Sequence, residues 1–294
     1  MRRKKKYDLW KAIPVIFLIL LAVVCIYPLI LIVFNAFSKE SIIVESGYVF
    51  WPKSISLEAF KMLIKAPGQL VSGLGISILE SVGGTTIAIM LQSLLAYAIS
   101  DNRFALKRPI EIFLLFALYF PSGGMIASYI VNTEILHMQN NILMYLLPAT
   151  AQCWGVFLFR TAYRSVPIAL LESAEIDGAT PFQIWFKIMI PLSKSFIMTQ
   201  FFMGFVGAWR SITTSLYYMT DTRLQNLEYY VQQIIKDMQV LKQSILLSGM
   251  DVSEFPVETM QFAVVFFSMI PALLIMPFVQ KYFEKGAVVG AVKG

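Results

Sequence analysis

Six segments of about 18 or more residues are apolar almost throughout, at roughly 12–35, 74–99, 110–131, 142–159, 195–217 and 259–280. A helical run of that length matches the hydrocarbon thickness of a bilayer, where each backbone N–H and C=O must find its partner within the protein. The expectation is an all-α integral membrane fold with six transmembrane helices. A soluble domain with 57% hydrophobic and 14% charged residues would expose large apolar patches. Six spans and their loops use residues 1–294 as one transmembrane domain, with no length left for a separate globular one.

Met1-Arg-Arg-Lys-Lys-Lys6 looks like the start of a secretory signal, but the apolar run from Ile13 to Phe34 is too long for a signal core, and no small-x-small site follows it. It reads as a retained first span. Cys25 and Cys153 fall inside expected spans and read as small packing residues. Lysine and arginine set the orientation. With the N-terminus inside, segments 1–11, 100–109, 160–194 and 281–294 carry 16 basic residues, against 7 in 36–73, 132–141 and 218–258. Both termini are therefore expected in the cytoplasm, in a multi-pass protein of the cell (inner) membrane. The net charge of +6 reflects this topology and contact with anionic lipid, not nucleic-acid binding.

The loops are unequal. Residues 100–109 and 132–141 merely turn the chain. In 36–73, Ser56 is placed to cap a short helix through Leu63. In 218–258, Leu224 to Ile235 has an amphipathic helical pattern. It reads either as an interfacial helix with Tyr229 and Tyr230 at headgroup level or as a platform for an external partner.

The longest inner loop, 160–194, is the most sharply punctuated. Pro167 suits a first helical turn, 168–176 reads as a short helix, and Asp177-Gly178 ends it. Thr180-Pro-Phe-Gln183 matches a capping box, opening a second helix that runs to Ile190 and stops at Pro191. With carboxylates at Glu172, Glu175 and Asp177, this makes a compact knob. Its geometry leaves two readings open: insertion into a partner's cleft, or a helix resting on the bilayer.

Glu172-Ser-Ala-x-x-x-Gly178, nine residues, then Ile188-x-Ile-Pro191 resembles the signature of permease subunits of ATP-binding-cassette importers, usually Glu-Ala-Ala-x-x-x-Gly, nine residues, Ile-x-Leu-Pro. Ser173 and Ile190 depart from it mildly. Ile176-Asp-Gly-Ala, Pro191-Leu-Ser, Trp51-Pro-Lys, the segment near Leu224-Gln225 and the ending Gln280 to Gly294 resemble the carbohydrate branch, similar to maltose-type permeases for oligosaccharides or polysaccharide fragments. The resemblance covers about residues 12–294. It implies that the loop is a coupling helix received by a cytoplasmic ATPase dimer, with Glu172, Ser173, Ala174, Asp177, Gly178, Ile188 and Pro191 carrying contact and turn geometry. It implies a contact from the tail Lys285–Gly294 to that dimer. It also implies a second, homologous permease and an extracytoplasmic solute-binding protein. No Gly-x-x-x-x-Gly-Lys-Ser/Thr phosphate loop occurs. The chain is thus expected to be non-catalytic and to carry no cofactor, with ATP and magnesium on the ATPase.

Charges inside spans are costly and usually face a cavity or a partner. Glu80 in the second span and Arg210 in the fifth lie at similar depth, about 10–12 Å below the outer boundary. They read either as an ion pair, or as an arginine snorkelling outward, or as part of a substrate path. The fifth span of such permeases often carries Trp-Asn; Trp209-Arg210 stands here. An indole suits a sugar face, and a guanidinium fork suits a carboxylate. The path is therefore expected to use Arg210, Trp209, Glu80 and, more weakly, Tyr217, and to favour acidic, uronate-containing oligosaccharides. The alternative class is an ion- or proton-coupled carrier, which would show more acidic or broken-helix sites at mid-membrane. A membrane-embedded transferase would want clustered acids, histidines or a metal site at one face. His137 is the sole histidine and sits in a short outer loop, so no metal is expected.

Overall fold

The computed structural model describes residues 9–51, 53–65, 67–120, 124–147 and 152–291. The basic start Met1–Lys6 and the tail end Val292–Gly294 lie outside the described residues. The helices are α1 (Leu9–Ala36), α2 (Glu40–Ser46), α3 (Glu58–Lys65), α4 (Pro67–Ile78), α5 (Thr85–Ser100), α6 (Lys107–Tyr119), α7 (Gly124–Ile130), α8 (Cys153–Arg164), α9 (Ile168–Ile176), α10 (Pro181–Ile184), α11 (Ile190–Leu192), α12 (Lys194–Trp209), α13 (Thr213–Tyr218), α14 (Leu227–Leu247) and α15 (Val257–Ala291). π turns lie at Leu79–Gly84, Val131–Ile135 and Trp185–Met189. Among the described residues β pairing is confined to one antiparallel bridge, Ser38 with Ile55.

Among the described residues, three helical stretches are long and apolar enough to cross a membrane: Ile13–Ala36, Gly68–Ser100 and Val257–Pro277. Two bent pairs qualify if each counts as one pass, Lys107–Tyr119 with Gly124–Ile135 and Pro181–Leu192 with Lys194–Trp209. The segment expected to cross at 142–159 is instead divided, into a 3-10 turn Ile142–Tyr145 and the 12-residue α8. The 195–217 segment is also divided, because α12 ends at Trp209 and α13 starts at Thr213.

Two compact units divide the chain. The first comprises residues 1–67 and 231–270. Within it, Asn35 is fully buried and grips Val49 in both directions, donating to its carbonyl (3.1 Å) and accepting from its N–H (3.0 Å). Phe37, Phe60 and Phe266 form an aromatic cluster with centroids 4.8–6.1 Å apart. Ser56 accepts from the N–H of Glu58 at the start of α3, close to the expected cap. The buried carboxylate of Glu40 on α2 accepts from the N–H groups of Glu258 (2.8 Å) and Thr259 (2.9 Å) at the start of α15, and from the Thr259 hydroxyl (2.7 Å). An anion there meets the orphan donors and the positive end of the helix dipole.

The second unit comprises residues 68–230 and 271–294. Its core joins α5 to α8 and to the loop that follows α8. Ala96, Ile99, Phe159, Tyr163, Ile184, Trp185 and Met189 are buried together. Ser93 accepts from the Trp185 indole (2.9 Å) and bonds the Tyr163 hydroxyl. Glu111 on α6 and Arg160 on α8 form an ion pair.

Glu40→Ala strips the start of α15 of three bonds and is expected to cost about 2–3 kcal/mol, with Glu40→Gln nearer 1. Thermal unfolding of the detergent-solubilised chain reads this, and an unchanged midpoint for Glu40→Ala would contradict it.

Candidate functional site

The loop after α8 takes its shape from local sequence. Pro167 stands at the cap of α9, one position outside the expected first turn, and Ile168 begins the helix. At the other end, Gly178 adopts φ +80°, its N–H bonds the Glu175 carbonyl (3.0 Å), and the Ala179 N–H bonds the Ala174 carbonyl (2.9 Å). This paired pattern is a Schellman motif, and the left-handed position is the one a glycine fills without strain. Thr180 and Gln183 form the expected reciprocal capping box, with bonds of 2.8 and 3.4 Å.

One expectation for the loop is corrected. The helix does not stop at Pro191; it runs through the π turn Trp185–Met189 and α11 to Leu192, breaks at Ser193, and turns by 81° into α12. The wider turn just before Pro191 relaxes the clash its ring would make with the preceding carbonyl.

The loop has two faces. Leu171, Ala174, Ala179, Ile184, Trp185, Ile188 and Met189 pack inward. Ile168, Ile176 and Phe182 project outward, with Ile176 86% exposed, beside the exposed Glu172, Ser173, Asp177 and Pro191. Of the expected contact set, then, Ala174 and Ile188 support the knob from within, and the others lie on or at its surface.

Glu175 is the exception within the acid cluster. The Arg103 guanidinium donates to both of its oxygens, Nη1 to Oε2 at 2.9 Å, and also to Asp101. Residues 100–109 thus do more than turn the chain. The bonds from Arg103 hold the Asp101 and Glu175 carboxyls below their usual range. The pair is therefore present at neutral pH and is lost only as pH falls through those lowered values.

The same unit contains a cavity of about 630 Å³. Its polar lining includes Gln92, Gln152, Gln200, Tyr145, Ser211 and Thr214, with Trp154 and Glu80. Among the described residues no lysine or arginine lines it. Gly155 lets the Gln92 amide lie directly against the α8 backbone, where a Cβ would overlap its oxygen.

The expected substrate-path residues separate here. Glu80 lines the cavity; Arg210, Trp209 and Tyr217 do not. Trp209 is buried and stacks on Phe205 (5.7 Å), while Arg210 is exposed and caps the end of α12. Arg210 thus lies at the C-terminal end of α12, where the chain leaves the helical ladder. Among the described residues no ion pair joins it to Glu80. The partner of Glu80 is Asn226, whose amide donates to Oε2 (2.9 Å) and to the Ser211 carbonyl (2.7 Å). Asn226 also accepts from the Tyr229 N–H (3.1 Å), so α14 begins at Leu227, not at Leu224. Ser215 accepts from the Asn226 N–H (2.9 Å) and bonds the Tyr145 hydroxyl (2.8 Å).

Sequence reasoning missed Asn226, Arg103, Trp154 and the three glutamines. An asparagine directly before an apolar-periodic run was a cap signal, and Gln92 and Gln200 inside apolar runs were pointers to a cavity. Gly178→Ala meets no steric neighbour, so its cost is backbone strain of about 1 kcal/mol, with Gly178→Asn milder. Faster amide exchange across 168–176 in the alanine variant is the expected result; unchanged exchange would contradict it.

The chain matches the family described as "binding-protein-dependent transport system inner membrane component" over residues 93–289. It is 30% identical over 286 residues to the polygalacturonan/rhamnogalacturonan transport system permease protein YtcP of Bacillus subtilis, covering 95% of this chain and 96% of that one. It is 22% identical to the arabinooligosaccharides transport system permease protein AraQ of the same organism, over the full length of both. Its fold matches a chain of a bacterial ABC transporter involved in the import of the acidic polysaccharide alginate, with a TM-score of 0.80 and 23% identity over 96% of this chain and 99% of that chain.

Proposed function

This chain belongs to the family of binding-protein-dependent transport system inner membrane components, and on that premise we propose that it is the multi-pass permease subunit of an ATP-driven importer of acidic oligosaccharides. The observation that carries the reading is the knob at 168–192. Glu172, Ser173, Gly178 and Pro191 of its signature sit on a surface that leaves Ile168, Ile176 and Phe182 exposed, while Ala174 and Ile188 pack into the base on α5 and α8. Exposed apolar groups on a rigid base, rimmed by Glu172 and Asp177, suit a cleft in a soluble partner. That partner is a cytoplasmic ATPase dimer, which holds the ATP and magnesium. A second permease and a solute-binding protein complete the assembly, and closure of the dimer drives the knob.

The cavity suits a sugar. Trp154 offers a stacking face, and the glutamine amides both donate and accept toward hydroxyls. The relatives named for polygalacturonan and the alginate importer support an acidic substrate. With no lysine or arginine among the described residues that line this wall, the uronate carboxylates are assigned to charges on the second permease.

Two experiments test the reading. An ATPase subunit is expected to co-purify with the tagged chain and to be lost with Gly178→Asp; if the intact chain brings none, the reading fails. Gly155→Ala pushes Gln92 from the cavity wall and is expected to lower uptake about tenfold, roughly the worth of one hydrogen bond, with Arg210→Gln near the parent rate. The reverse order of effects would remove the cavity assignment.

A further inference from the structure

We propose that Arg103 is a positioning residue for coupling, a tether that passes displacement of α9 to the end of the long helical stretch Gly68–Ser100. The inference rests on the reading of 168–192 as the ATPase-driven knob, and its grounds are geometric. Asp101 follows the last residue of α5, and its carboxylate accepts from the Arg103 N–H (2.8 Å) and from Nε (3.2 Å). The guanidinium is thereby aimed, and its two terminal nitrogens take both oxygens of Glu175. A forked pair held from behind by a second carboxylate fixes direction as well as distance, which a lysine's point charge would not do.

What surrounds the tether gives it a mechanical role. Two cavities, of about 660 and about 420 Å³, lie against α9, and both are lined by Tyr97, Asp101, Arg103 and Glu175. The ion pair is the partition between them. The apolar seat of α9 is narrow, Leu171 and Ala174. A short helix with space on both sides can rock on such a seat, and the tether sets which motions reach α5. The pair itself is open to solvent, with the Arg103 side chain 70% exposed, and exposed pairs contribute little to folding. Its value lies in transmission, and Glu175 is spent on it, leaving Glu172 and Asp177 for the partner.

The test uses the complete transporter in proteoliposomes, reading retained ATPase, ATP hydrolysis and sugar moved per ATP. Arg103→Gln and Glu175→Gln are each expected to keep the ATPase bound while lowering sugar moved per ATP about five- to tenfold, the double variant being no worse than either single, and Arg103→Lys falling between. Singles within about twofold of the parent, or a double whose loss is the product of the two, would overturn the tether while leaving the importer reading intact. Loss of the ATPase in the singles would likewise overturn it, making the pair part of docking. If the parent chain itself brings no ATPase, the importer reading falls and the tether with it.

Discussion

A backbone group that leaves the helical ladder inside hydrocarbon has no water to turn to, at a cost of several kcal/mol. This chain leaves the ladder repeatedly, and the rest of its structure depends on how those exits are satisfied. Where α12 ends, the buried Asn226 amide takes the Ser211 carbonyl; the same amide holds Glu80, and the same residue starts α14. Where α15 begins, Glu40 receives its first free donors. One polar side chain thus closes several loose ends at once, which is why these residues are buried although they are polar.

The Asn226 node also sets the chemistry of the cavity. Glu80 lines it, yet is occupied by Asn226, and Tyr145 is occupied by Ser215. What remains beside the Glu80 carboxyl is a wall of amides, hydroxyls and one exposed indole, suited to hydroxyl-rich ligands. The knob is built by opposite means: a Schellman turn and a capping box shape it locally, apolar packing anchors it, and its outer surface is left uncovered. An element with an uncovered apolar face and a polar cavity in the same unit is the arrangement on which the proposed coupled transport rests.

Local features were legible in the sequence. Gly178, Thr180 and Gln183 act within a few residues of themselves, and the structure places them as capping rules require. The helical, membrane-spanning character was legible for the same reason, since length and apolarity are local. The misreadings have two sources, partners far along the chain and local breaks in the helical ladder. Glu175 looked like part of a docking cluster because Arg103 lies 72 residues away; an ion pair of Glu80 with Arg210 stood among the open readings because Asn226 lies 146 residues away. Arg210 looked mid-helix because an apolar window does not reveal where its helix ends. Pro191 looked like a stop because a π turn leaves no mark that periodicity detects.

The central claim is that motion of the knob, driven by ATP, moves sugar through this subunit. The most direct measurement is uptake of labelled oligogalacturonide into proteoliposomes of the complete assembly, with ATP either trapped inside or absent. The account predicts uptake that requires internal ATP and the binding protein and persists when ionophores collapse proton and sodium gradients. Uptake that proceeds without ATP and stops with the ionophores would contradict it.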